Sequence, residues 1–231
     1  MNDTDIIDNH QMSLLRPFYT PIYSFKFKKH KEYKEKVLNY LEDEELYKRN
    51  TRRKTLQFSH PNLHKEPIFE EYTQFFKECI AITMDDYGHI PEFCMTGLWA
   101  TKHKSNVGFH HLHTHNNSFF GGVYYFDGDE KAAGTVFHSP HRYASQIVPA
   151  RNNKSLRNQQ TFKLKWEEGR LIIFPAWAAH DTPVNYSEKT RTILSFNVMP
   201  LGKTNTDAFD RYNYQDISNV EMVNNMDEID K

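Results

Sequence analysis

The sequence predicts an all-β core, a sandwich or jelly roll, with helices packed on its outside. Three observations carry this. After Pro91 the chain breaks into seven short runs rich in β-branched and aromatic residues: FCMTGLWAT, VGFHHLHTH, FFGGVYYF, GTVFHS, QTFKLKW, RLIIFP and RTILSFNVM. Most are bounded by Gly, Pro, Asn or Asp, and no helical periodicity separates them, which argues against a parallel sheet. The helical patterns all precede them, so the class is α+β with the helices outside the β-core.

In order along the chain, residues 1–12 are polar and are expected to be disordered. LLRPFYTPIYSFKF (14–27) alternates but carries two prolines, as an edge strand does. HKEYKEKVLNYLEDEELYK (30–48) reads as a helix with Tyr33, Val37, Tyr40 and Leu41 on one face. Residues 49–64 are polar and irregular. A second helix spans about 66–87, with Ile68, Phe69, Tyr72, Phe75, Phe76, Cys79 and Ile80 as its stripe and Gly88 and Pro91 as its stop. The strands form a core over about 93–200 within one domain covering 13–202. HRYASQIVPARNNKSLRNQQ (141–160) interrupts them with Arg142, Arg151, Lys154 and Arg157 and no acid, while the tail 203–231 carries seven acidic residues against three basic.

Composition narrows the function. A net charge of -1 across 231 residues offers no field to recruit nucleic acid or an anionic membrane. The longest apolar run, LIIFPAWAA, is half a membrane span and contains a proline. Two cysteines without metal-site spacing, and a start lacking a signal-peptide pattern, suit a reducing, cytoplasmic setting, or a host cytoplasm if the chain is phage-encoded. A small molecule or a peptide fits as substrate, and monomer and homodimer are both open.

Four of the 13 histidines fall within GFHHLHTHNN. In a strand, residues i and i+2 point the same way. His113 and His115 can therefore aim at one point, with His111 on their side and His110 opposite. Such a run is either a polar strand end or part of a metal site. His180, placed after an apolar strand and its turn, is a third imidazole from a distant segment. Arg191 opens the last strand, where inward positions are otherwise apolar. A buried guanidinium there needs an anion, and a ligand carboxylate would satisfy it in two-pronged fashion. Trp177, Phe109 and the 141–160 loop are candidates for a substrate-side wall, with ordinary core packing as the other reading of the two aromatics.

HxH, then GGVYYF, AGTVF, GRLIIFPAWAAHDTPVN and R with SFN, in this order over residues 95–199, resemble the 2-oxoglutarate/Fe(II)-dependent oxygenase superfamily. The pattern is closest to a bacterial and phage branch reading HxH…SGVYYL…FPSWLxH…RxSxSFN. The resemblance implies a double-stranded β-helix (a cupin-like jelly roll), Fe(II), 2-oxoglutarate as cosubstrate and O2. It implies a dioxygenase that hydroxylates or otherwise oxidises a C–H bond, releasing succinate and CO2. Carried over by position, His113, His115 and His180 are the metal ligands, Arg191 pairs with the distal carboxylate of 2-oxoglutarate, and Tyr125 helps to hold it. His115 stands where the superfamily has a carboxylate, and Ile193 where the branch has Ser. Three imidazoles suit Zn(II) as well as Fe(II), so a zinc or cupin-like hydrolase or isomerase, or a non-catalytic metal-binding β-helix, are the alternatives.

Overall fold

The computed structural model describes residues 4–7, 10–13, 19–50, 55–89, 92–141, 150, 159–201, 203–204 and 215–216. The four basic residues of the 141–160 loop (Arg142, Arg151, Lys154 and Arg157) and most of the acidic tail lie outside them. In the terminal segments, β1 (Thr4–Ile7) pairs with β2 (His10–Ser13) inside the stretch expected to be disordered, and two tail dipeptides, β13 (Lys203–Thr204) and β14 (Gln215–Asp216), pair with each other.

The centre is a double-stranded β-helix of two antiparallel sheets. Its larger sheet runs β3 (Tyr23–Lys26), β10 (Arg170–Pro175), β7 (Phe120–Asp127), β12 (Arg191–Pro200), β5 (Phe93–His103) and β4 (Leu56–Phe58). The smaller runs β6 (His110–His113), β11 (His180–Thr182), β8 (Val136–His138) and β9 (Thr161–Lys163). β3 lies at an edge, where a segment following prolines can sit without a missing donor in the ladder. β4 occupies the other edge, within a stretch read from sequence as irregular. At three residues it is too short to show a period.

Alternation along the large sheet divides two cores. One face of the central strands presents Phe120, Tyr124, Phe126, Leu171, Ile173, Leu194, Phe196 and Val198 to the helices. The other turns Val123, Tyr125, Ile172, Phe174 and Ile193 into the β-helix, where Phe137 and Ala178 meet them from the opposite side. Against the first face lies α2 (Glu70–Asp86), whose stripe of Tyr72, Phe76, Cys79, Ile80 and Met84 is buried. Each large apolar side chain so buried contributes roughly 1.5–3 kcal/mol. Glu70 and Glu71 complement the positive end of the α2 dipole, and Gly88, at φ +83°, turns the chain out of the helix.

The first helix is shorter than its periodicity suggests. α1 (His30–Leu41) ends where the acidic run Glu42, Asp43, Glu44, Glu45 begins, and a 3-10 turn over Glu44–Asn50 replaces the rest. Four carboxylates at the negative end of a helix dipole oppose its extension. α1 is fixed to the sheet by a buried polar cluster: His30 Nδ1 accepts from the Tyr124 hydroxyl at 2.7 Å and contacts that of Tyr72 at 3.2 Å. Its Nε2 meets Glu168, which Lys34 also bridges at 2.8 Å.

Candidate metal centre

The site sits between the two sheets, at the end where β6 and β11 run side by side. His180 pairs directly with His113 across these strands. His180, which follows the apolar strand β10 and its turn, opens a short strand of its own in the smaller sheet. Between His113 and His110 the pairing slips, so that three steps on β6 oppose two on β11. This bulge reverses the faces expected from simple alternation. His110 comes beside His113, with ring centroids 4.1 Å apart, and His111 turns outward onto Phe109 at 4.8 Å.

The ligand atoms of His113, His115 and His180 all lie within 4.8 Å of one another. Each ring is anchored through Nδ1. His113 Nδ1 donates to the His111 carbonyl at 2.7 Å, and His180 Nδ1 to the Ala178 carbonyl at 2.9 Å. A carbonyl only accepts, so both rings carry their proton on Nδ1 and present a lone pair at Nε2. His115 Nδ1 meets Asn197 Oδ1 at 2.6 Å and has the same tautomer. Burial disfavours the imidazolium of all three, and His180, which also feels His113, is pushed down to about 3. Neutral rings with free Nε2 atoms converging on one point are the donor set a divalent transition metal needs. The residues fit such an ion.

The inward row of β12 supplies the rest: Arg191, Ile193, Ser195 and Asn197. Asn197 is paired with Gly121 of β7, and His115 packs over that glycine; a Cβ there would lie 2.9 Å from His115 Nδ1. At the far end Arg191 is 1% exposed. Its Nη1 donates to the Ala133 carbonyl and its Nη2 to His103 Nε2 at 2.9 Å, while its guanidinium lies 5.8 Å from the Trp166 ring. Arg191 Nε is buried without a partner, and among the described residues no carboxylate compensates the charge. Burial pulls its pKa down to about 10. His103, directly opposite on β5, is held well below its ordinary value by burial, by Arg191 and by His110. His110, whose ring lies 4.1 Å from that of His113, lowers the pKa of His180 as well as that of His103.

Tyr125 lies on the same inner face, but its hydroxyl is engaged. It donates to Thr135 Oγ1 at 2.9 Å and accepts the Thr135 N–H at 3.0 Å, with its ring stacked on Trp166 at 4.7 Å. Ile193 is buried in the inner core, where it offers no hydroxyl. Asp181, the acid next to His180, is bound to His138 Nε2 at 2.6 Å. Trp177 is 50% and Phe109 39% exposed, so neither is a core residue. Trp177 and Tyr87 line a cavity of about 260 Å³ that reaches His115, and both also border an open groove of about 580 Å³ with Tyr19, Pro21 and His141. His103, Gly121 and Asn197 carry no role in the sequence reading, and His110, expected on the face opposite to His113, lies beside it. Only the GG and SFN motifs signalled Gly121 and Asn197.

Comparison with known proteins bears on the same region. Residues 97–197 match a family model described as "Putative 2OG-Fe(II) oxygenase", a stretch short of half the chain. No curated protein matches the sequence. Among solved structures, the non-heme alpha ketoglutarate dependent epimerase SnoN from nogalamycin biosynthesis is similar, with a TM-score of 0.57 and 10% identity over 78% of this chain and 79% of its own. A Pseudomonas putida prolyl-4-hydroxylase gives 0.55 and 10% over 78% and 93%. HygX from Streptomyces hygroscopicus, with nickel and 2-oxoglutarate bound, gives 0.54 and 10% over 86% and 92%. At these identities the likeness is one of fold. Among the described residues, no helix is long and apolar enough to cross a membrane.

Proposed function

We propose that this chain is an Fe(II)- and 2-oxoglutarate-dependent dioxygenase that hydroxylates a C–H bond of a small molecule or peptide, akin to the bacterial and phage branch its motifs resemble. The observation that carries the reading is the triad itself: three imidazoles, each with Nδ1 committed as a donor, whose ligand atoms fall within 4.8 Å of one another. In this reading His113, His115 and His180 hold the metal. The buried Arg191, with an unpartnered Nε, receives the distal carboxylate of 2-oxoglutarate. When bound, the metal and cosubstrate supply the oxidation of an unactivated C–H bond by O2, with release of succinate and CO2.

The chain's own part is to bind and orient. Arg191 offers a preorganised fork, and its incomplete partnering favours an incoming dianion. His103 stays neutral and accepts from Nη2, which keeps the fork aimed. The apolar wall of Val123, Ile172, Phe174 and Ile193 excludes water between the two ends. Tyr125 serves that wall, because its proton already belongs to Thr135. The substrate approaches over Trp177 and Tyr87, through the cavity that reaches His115. The named neighbours include an epimerase and a prolyl hydroxylase, and hydroxylation is the outcome proposed here.

The test is anaerobic reconstitution with Fe(II) followed by addition of 2-oxoglutarate. A visible charge-transfer band that requires both is the expected result. Iron uptake with no band would overturn the cosubstrate assignment and favour a zinc-type hydrolase or isomerase on the same barrel. Failure to take up any divalent ion would leave a non-catalytic β-helix.

A further inference from the structure

Trp166 carries no role in the reading above, although both layers of the fold fix it. It stands in the connection between β9 and β10, and the two residues after it are held from the outer layer. Glu167 meets Lys26 at 2.8 Å and Glu168 meets Lys34 at 2.8 Å. Gly169, at φ +80°, turns the chain into β10 and donates its N–H to the Tyr125 carbonyl at 2.8 Å. The indole packs the other way, against the inner core. It stacks on the Tyr125 ring at 4.7 Å, and Thr135 holds Tyr125 through both hydroxyl contacts. Gly128 seats its edge: a Cβ there would lie 2.7 Å from Cζ2 and 3.0 Å from Cε2, so a larger residue would displace the ring. The Arg191 guanidinium carbon lies over this indole, 5.8 Å from the ring centroid, within the roughly 6 Å reach of a cation–π contact.

We infer that Trp166 is a positioning residue: it sets where the Arg191 guanidinium sits, and so which length of 2-oxo dicarboxylate the site accepts. The inference rests on the reading of the triad and Arg191 given above. A dicarboxylate held at both ends must match the distance between them, and one methylene too many is rejected only if neither end yields. The triad end is anchored, each ring through its Nδ1. Arg191 is a long side chain with several rotatable bonds. Its hydrogen bonds to the Ala133 carbonyl and His103 fix Nη1 and Nη2, yet leave the group free to rock about the line joining those nitrogens. The indole lies against the guanidinium and limits that motion. A side chain that is itself locked by its neighbours can hold another in place.

The experiment uses the full chain loaded anaerobically with Fe(II), titrated with 2-oxoglutarate and, separately, with 2-oxoadipate, which is one methylene longer. The visible charge-transfer band is the readout. Wild type is expected to bind 2-oxoglutarate at least about tenfold more tightly, the usual discrimination against an extra methylene. Trp166→Ala should raise the half-saturating 2-oxoglutarate about threefold to thirtyfold, the range spanned by a cation–π contact, and abolish the preference, with iron uptake unchanged. Trp166→Phe keeps an aromatic face for Arg191 and Tyr125 and should retain the preference. Gly128→Ala keeps the indole but pushes it off its seat, so it should lower the preference as well, and it decides the matter if Trp166→Ala does not fold. Equal binding of both acids by the wild type would overturn the inference while leaving the cosubstrate reading intact. So would loss of both acids in the same proportion in the variants. No band with either acid would overturn that reading, and the inference with it.

Discussion

Removing the Asn197 amide takes away the side-chain hydrogen bond that fixes the His115 ring. Asn197 Oδ1 lies 2.6 Å from His115 Nδ1, and both side chains are half-buried on the inner side of the large sheet. Partners behind metal-ligating histidines are typically worth about 10–100-fold in metal affinity, or about 1.4–2.8 kcal/mol. The short distance places Asn197→Ala toward the upper end. On the other side of the ring, Gly121→Ala would put a Cβ 2.9 Å from His115 Nδ1 and 3.0 Å from Phe174 Cε2, so the imidazole must shift away from its partner. Asn197→Asp keeps the acceptor and adds a charge that makes the imidazole a stronger donor. The expected order of affinity is Asn197→Asp at or above wild type, with Asn197→Ala and Gly121→Ala at least about tenfold weaker. Anaerobic competition titration with Fe(II) measures it, and melting of the metal-free proteins in parallel separates binding from folding. Wild-type affinity in Asn197→Ala, or no recovery in Asn197→Asp, would refute the reasoning.

His113→Ala and His180→Ala should each abolish stoichiometric iron binding, whereas His111→Ala, whose ring faces Phe109, should leave iron content unchanged by metal analysis. Arg191→Ala should weaken 2-oxoglutarate binding about tenfold to a hundredfold, the value of a charge-assisted contact, as read by titrating the charge-transfer band. The metal-free protein should lose stability as pH falls below 6.5. Burial holds His30 and His103 below that ordinary value in the folded state, so the unfolded chain binds protons first. Stability is thus complete above 6.5 and declines as pH falls toward the folded-state values. Melting temperatures that stay flat from pH 6.5 to about 4.5, above the carboxylate range, would count against neutral burial of these rings.

Much of the β-core was legible because its strands announce themselves. RLIIFP and RTILSFNVM have the right composition and clear stops, and the observed β10 and β12 follow them closely. Of the three-residue strands, Val136–His138 and Thr161–Lys163 fall within GTVFHS and QTFKLKW, but the other two were not legible. Leu56–Phe58 and His180–Thr182 form only because a neighbouring strand offers an open edge, which is information from the tertiary structure. The same limit governs the histidine run. The approach of His113, His115 and His180 could be argued from i, i+2 spacing and a distant third imidazole. The bulge that exchanges His110 for His111 depends on register against β11 and leaves no local mark. Asn197 stood in a quoted motif without a role, because its contact to His115 spans 82 positions. The engagement of the Tyr125 hydroxyl by Thr135 was hidden for a similar reason: β7 and β8 belong to different sheets.

The position of β12 has a consequence for how the chain comes to be folded. The last long strand in the sequence lies in the middle of the large sheet, between β7 and β5, and pairs along nearly its whole length with both. Until residues 191–200 are available, β5–β4 and β3–β10–β7 are two fragments with open inner edges. Ladders of such large sequence separation close slowly, because the loop entropy is spent before the contacts form. The same strand carries Asn197 and Arg191, so its arrival joins the sheet and completes both ends of the candidate site in one event. A nascent chain short of that strand exposes two unpaired strand edges, which makes the interval before its insertion the period of greatest exposure to aggregation.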